Sequence, residues 1–237
     1  MNLILLEPEE AAQEVVCLDD RRGRHIRDIH RAVPGDTLRV GILGGAMGTA
    51  TVQSVDAGAV TLRLEALTQP PPAAARLSLC VALPRPPTLH KVLQQVTAMG
   101  VKELVFFHAR RVEKSFWQSS AATDAGARPH LLLGLEQGRD TVLPEVRWCR
   151  GFRQFVDEVL PGLTKRASRS MFAHVGATAP CPADGDGGLV VVGPEGGFVP
   201  FEVERLQAAG LTPVGLGARP LRVETACVSL AARLALG

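Results

Sequence analysis

Beyond residue 72, short apolar runs alternate with stretches whose apolar residues recur at helical spacing. Residues 77–83 read as a strand, 88–99 as a helix closed by Gly100, and 103–107 as a second strand. Helices over 128–139 and 152–160 flank a strand at 145–149, and 169–175 is a further strand. Val190, Val191 and Val192 form a β-branched run suited to a strand buried on both faces. Residues 200–209 then read as a helix closed by Gly210, 213–216 as a short strand, and 223–236 as the last helix. Strands alternating with helices predict an α/β fold built on a parallel sheet.

Before residue 70 the pattern is different. Strands at 37–40, 49–55 and 59–64 are separated by Gly44-Gly45 and by Asp56-Ala57-Gly58, as in a small β-barrel. Residues 1–7 have a short apolar run without a basic flank or a cleavage site, and so read as a first strand rather than a signal peptide. Pro70, Pro71 and Pro72 cannot continue a sheet or a helix. They divide the chain into a β domain at 1–69, a linker at 70–72 and an α/β domain at 73–237. Residues 178–188, rich in Pro, Gly, Ala and Asp, read as a surface loop.

Composition narrows the setting. A chain of 237 residues has ample length to bury the cores of two domains, and no uninterrupted apolar stretch reaches the ~18 residues that would suggest a membrane span. Cys17, Cys80, Cys149, Cys181 and Cys227 include no C-x-x-C pair. Such an odd, dispersed set fits reduced thiols in a cytoplasmic protein and provides no metal site. The net charge of +2 hides an uneven distribution. Between residues 21 and 39 lie six arginines (21, 22, 24, 27, 31, 39) against Asp28 and Asp36, a local balance of 6 − 2 = +4. Such a run is either a solvated face or the footprint of an RNA backbone. Its place in a small β domain beside a second domain favours RNA, with Arg24, Arg27 and Arg31 as the contacts.

Two glycine-bearing loops near the end of the chain carry the chemistry. Leu189-Val-Val-Val-Gly193-Pro-Glu195-Gly196-Gly197 and Leu216-Gly217-Ala-Arg219-Pro-Leu221-Arg222-Val-Glu224-Thr225 each end a strand and open a helix. In an open α/β sheet ligands sit beyond the carboxyl ends of the strands, so the two loops predict one site. Neither loop is a G-x-G-x-x-G or a G-x-x-x-x-G-K-[ST] phosphate cradle, and Glu195 would repel a pyrophosphate. A carboxylate among glycines suits ribose hydroxyls or a cationic ligand, and S-adenosylmethionine (SAM) has both an adenosine and a sulfonium.

With both loops together, the chain resembles the ribosomal small-subunit RNA uridine N3-methyltransferases of the SPOUT (α/β-knot) superfamily. The resemblance extends to Arg24-His25-Ile26 and Pro34-Gly35-Asp36 near the start, to Gly100-Val101, Arg111-Val-Glu-Lys114-Ser115 and Glu136-Gln137 in the middle, and to His174 at a strand end. The chain departs from the family pattern at Gln95 and Ala98, and Arg139 follows Glu136-Gln137 one position early. The cofactor end therefore matches better than the RNA-facing middle. The resemblance implies a PUA-like β-barrel before a knotted parallel sheet, SAM as cofactor without metal, 16S rRNA or the 30S subunit as partner, and a homodimer. The cofactor residues it implies are His174, Gly193, Glu195, Gly196, Gly197, Leu216, Gly217, Leu221, Glu224 and Thr225.

Methylating uridine N3 requires the imide proton to leave while charge spreads over O2 and O4, and a guanidinium fork near either oxygen lowers that barrier. Arg222 is the candidate, with packing of the loop as its other role. Glu224 falls where a carboxylate complements a helix dipole. His174 either assists proton removal or holds the sheet. Arg111 and Lys114 are placed to grip phosphates, and Trp117 either stacks a base or is core. Two other readings remain: a methyltransferase of the same superfamily with another target nucleotide, and a non-catalytic rRNA-binding assembly factor.

Overall fold

The computed structural model describes residues 2–235, so Met1, at the start of the first predicted strand, and Leu236, in the last predicted helix, lie outside the described residues. The chain forms two compact units. One comprises Met1–Ala73 with Leu135–Leu143, the other Ala74–Gly134 with Pro144–Gly237.

The first unit is a five-stranded sheet of β1 (Ile4–Leu6), β2 (Val15–Leu18), β3 (Thr37–Ile42), β4 (Met47–Val55) and β5 (Val60–Leu64), in the order β1-β3-β4-β5-β2. β1 runs parallel to β3 and the other pairs are antiparallel. All five strands contribute to one apolar cluster that includes Leu6, Leu18, Ile26, Val40, Ala50, Val52 and Leu62. Among the described residues no ladder joins β1 to β2, so where a barrel was expected the sheet is open, ending on two short edge strands. β2 escapes a reading by pattern because Val15, Val16, Cys17 and Leu18 are all apolar, although their burial alternates. Helical turns over Arg21–His25 and Ile26–His30 follow, started by Asp20, whose carboxylate accepts from the Arg22 N–H at 2.7 Å.

The second unit holds six parallel strands, β6 (Ala75–Ala82), β7 (Val101–Phe107), β8 (Glu145–Cys149), β9 (Ser170–Ala173), β10 (Gly188–Val192) and β11 (Thr212–Val214), in the order β11-β9-β10-β6-β7-β8. All five residues of β10 are buried. That strand lies between β6 and β9, with Val191 opposite both Cys80 and Phe172. The helix Pro86–Ala98 buries Leu89, Val92, Leu93 and Val96 and packs on the last helix, Val223–Ala235. Over the predicted helix 152–160 the backbone widens into a π turn at Phe155–Val159 before continuing as Leu160–Arg166. Pro161 supplies no N–H for the preceding turn, which accounts for the widening. The predicted helix 128–139 starts earlier, at Asp124, and ends at Gly138; Arg139 is left-handed at φ 55°. Among the described residues no helix is long and apolar enough to cross a membrane.

Candidate active site

Three adjacent strands, β11, β9 and β10, end at one cavity of about 340 Å³. The segment after β9 contributes His174 and Val175, the loop after β10 contributes Gly193 to Phe198, and the loop after β11 contributes Leu216, Gly217, Arg219 and Leu221. The cavity therefore lies beyond the carboxyl ends of parallel strands. Val192, Phe198, Val223 and Ala226 give it an apolar floor, while Glu195 and Arg219 bring opposite charges to its rim.

The loop after β10 turns tightly. The Gly197 N–H donates to the Pro194 carbonyl at 2.8 Å, and Gly197 takes φ 73°, a conformation that disfavours a side chain. His174 is half-buried and lines the cavity, its backbone N–H donating to the Val214 carbonyl on β11 at 3.0 Å.

Of the residues expected at the cofactor, His174, Gly193, Glu195, Gly196, Gly197, Leu216, Gly217 and Leu221 border this cavity. Glu224 and Thr225 do not. Glu224 is turned to the helix Pro86–Ala98, with Lys91 Nζ at 3.5 Å, and Thr225 is exposed. Arg222 is exposed as well and does not border the cavity; its carbonyl accepts from the Ala226 N–H at 2.8 Å in the first turn of the last helix. Two other arginines stand at the cavity. Arg219 comes from the same loop, and Arg111, expected at RNA, donates from its guanidinium to the Gly196 carbonyl.

The segment that follows β7 forms the surroundings of Arg111. His108 Nδ1 accepts from the Trp117 indole N–H at 3.1 Å. Burial, together with the Lys114 ammonium, pushes the His108 imidazole below its ordinary pKa. Trp117 is buried, with the Arg150 guanidinium 5.5 Å from the centre of its ring. Lys114 opens a short 3₁₀ turn and is exposed.

Pattern reading missed Glu202. It is 2% exposed and accepts two backbone N–H groups, from Val199 at 3.0 Å and from Arg110 at 2.8 Å. A glutamate three residues into a helix that opens on Pro200 is the signal that could have found it.

Half of the arginine run in the first unit is paired. Arg21 makes a double hydrogen bond to Glu136. Arg22 forks onto Glu10 and also reaches Asp20 and the Leu5 carbonyl. Arg27 pairs with Asp28 and the Ala57 carbonyl. Arg24, Arg31 and Arg39 are exposed. Among the described residues no group of three or more His, Cys, Asp or Glu side chains is placed to hold a metal ion.

A family model described as an RNA methyltransferase domain matches residues 71–235. The chain is 27% identical to the ribosomal RNA small subunit methyltransferase E of Treponema pallidum, over 99% of this chain and 91% of that one. It is also 27% identical to the protein of that name from Mycobacterium tuberculosis, over 92% of this chain and 84% of the relative. Its fold is that of the crystal structure of a ribosomal RNA small subunit methyltransferase E from Neisseria gonorrhoeae bound to S-adenosyl methionine. The TM-score is 0.71, with 21% identity over 98% of this chain and 95% of the other.

Proposed function

The chain belongs to the RNA methyltransferase domain family, and on that premise we propose that it transfers a methyl group from SAM to small-subunit ribosomal RNA, at N3 of a uridine. The observation that carries this reading is the cavity at the ends of β9, β10 and β11, where eight of the ten residues expected at the cofactor converge. Its glycine-lined rim lets a ligand approach backbone groups, its floor is apolar, and Glu195 suits a cationic or hydroxyl-bearing ligand. The cofactor would supply an electrophilic methyl group on its sulfonium.

The chain's part is to hold the uridine edge-on and to favour loss of its N3 proton. Arg219 and Arg111 border the cavity, so a guanidinium from either is better placed than Arg222 to stabilise charge on O2 or O4. The chain contains no tyrosine, which leaves His174 as the titratable base at the cavity besides Glu195. Arg24 and Arg31, exposed in the first unit, and Lys114 beyond β7 are the cations for the RNA backbone. The first unit serves as a PUA-like RNA-binding domain, the second as a SPOUT-type knotted domain. Val175 and Leu221 at the cavity rim and Phe201 in the following helix are exposed apolar side chains, which supports a homodimer covering them.

The test is methyl transfer from labelled SAM to 30S subunits and to naked 16S rRNA, followed by mass spectrometry of nuclease fragments. N3-methyluridine at one position is the expected product. Methylation of a ribose or of another base would replace the uridine assignment, and binding of SAM without any transfer would favour an assembly factor.

A further inference from the structure

Glu202 carries a bond that its helix does not need. A glutamate at the third position of a helix commonly returns one oxygen to the N–H of the residue before the helix, and Oε2 of Glu202 does this with Val199 at 3.0 Å. Oε1 instead leaves the helix and accepts the Arg110 N–H at 2.8 Å, across 92 residues of chain. The carboxylate is 2% exposed and its geometry is that of two charge-assisted bonds to backbone amides. One amide belongs to the segment after β10 that contains Gly193 to Gly197, the other to the segment after β7 that contains Arg111.

A second link spans the same two segments. The Arg111 guanidinium donates to the Gly196 carbonyl, and its Cδ lies 3.0 Å from where a Gly196 Cβ would stand. Arg110 and Arg111 are neighbours, so the carboxylate holds the backbone from which this guanidinium extends. The two bonds thus close a ring of contacts running from Glu202 to Arg110, to Arg111, to Gly196 and back along the chain through Val199.

We propose that Glu202 is a positioning residue for the cofactor cavity: by holding the Arg110 and Val199 amides on one carboxylate it fixes the segment after β7 against the glycine loop and so sets where Arg111 meets Gly196. This rests on the SAM-binding reading above for its effect on ligand affinity, but the bridge itself is a property of the free protein. Through it, whatever grips the 111–114 segment also acts on the glycine loop.

The test uses Glu202→Gln in the full chain. Glutamine keeps one acceptor, sufficient for the helix cap, but its amide NH₂ cannot accept a second N–H. Hydrogen exchange should accelerate in both 108–114 and 193–199, with the melting temperature close to wild type. Acceleration confined to 193–199, or to neither segment, overturns the bridge. SAM affinity should fall about tenfold, the consequence of one lost charge-assisted bond. A double-mutant cycle with Arg111→Ala separates positioning from simple destabilisation, since residues acting as one unit lose no more together than the larger single loss. Strictly additive losses, or unchanged affinity in Glu202→Gln, overturn the coupling. If Glu202→Gln melts early, Arg111→Ala with exchange read at 193–199 and at the Arg110 amide decides it: acceleration in both supports the coupling, and none overturns it. Wild-type protein that fails to bind SAM overturns the cofactor reading and leaves the exchange result to decide the bridge.

Discussion

Arg21 and Glu136 are held fork to fork, at 2.7 and 2.9 Å, with the Glu136 side chain only 2% exposed. A pair this well matched satisfies a buried carboxylate rather than offering a free charge to RNA. Arg21→Ala leaves that carboxylate without its cation and should destabilise the protein by about 1–3 kcal/mol, read as a lower urea midpoint. Arg24→Ala and Arg31→Ala should change stability by less than ~0.5 kcal/mol, and together flatten the salt dependence of RNA binding by about one to two phosphate contacts. Equal loss of RNA affinity in Arg21→Ala and in the Arg24/Arg31 pair, at matched folded fraction, would contradict this division.

Thr97 is fully buried, and among the described residues its hydroxyl has no hydrogen-bond partner. Thr97→Val keeps the shape and removes the unmet donor and acceptor. Denaturant unfolding should show a gain of about 1 kcal/mol, and a loss would mean that the hydroxyl is satisfied.

Acidification should loosen the second unit near Trp117. The folded protein disfavours protonated His108, chiefly through burial and also through the Lys114 charge, and it disfavours protonated His130 through burial and the neighbouring His90. Groups with depressed folded pKa values contribute stability above the ordinary histidine value of 6.5, and that stability is lost as the pH falls through their folded values. Melting temperature should therefore drop between about pH 7 and 5. In a Trp148→Phe background, fluorescence follows Trp117 alone, whose indole donates to His108 Nδ1. His108→Gln should show a smaller drop over the same range.

Arg219→Ala should lower kcat more than Arg222→Ala does, because only Arg219 borders the cavity. If a guanidinium stabilises the uridine anion, raising the pH should recover part of the Arg219→Ala deficit, since a deprotonated imide needs less help. A deficit constant across the pH–rate profile, or a larger loss in Arg222→Ala, would return that role to Arg222 or to neither.

Gly196→Val introduces a Cβ 3.0 Å from Arg111 Cδ, so the arginine side chain must give by a few tenths of an ångström, and it puts a side chain on the glycine rim that a ligand must approach. Titration calorimetry should show a loss of SAM affinity, with stability changed by less than about 0.5 kcal/mol because the position is exposed.

Much of the second unit is visible in the sequence because its elements announce themselves locally. The run Val190–Val192, the proline openings at Pro86 and Pro200, and the two glycine loops each determine structure within a few residues. What the sequence conceals is pairing at a distance. Nothing near Arg21 points to Glu136, 115 positions away, and nothing near Arg110 points to Glu202. Loop direction is hidden too: Arg219 and Arg222 are three residues apart and equally basic, yet only Arg219 borders the cavity. The strand at Val15–Leu18 is concealed for the opposite reason, since a wholly apolar segment shows no alternation.

The central place of β10 has a consequence for how the chain becomes native. Its two partners, β6 and β9, are synthesised first and remain without a strand between them until Gly188–Val192 emerges. Through that interval the nascent chain presents unpaired, apolar strand edges on β6 and β9, the kind of surface on which other chains template. That middle strand must then enter between them, Gly188 standing 106 positions after Ala82. Loop closure on that scale makes maturation slow relative to local helix formation. Refolding yield should therefore depend on protein concentration more steeply than native stability would suggest, because the vulnerable species is the one still waiting for its middle strand.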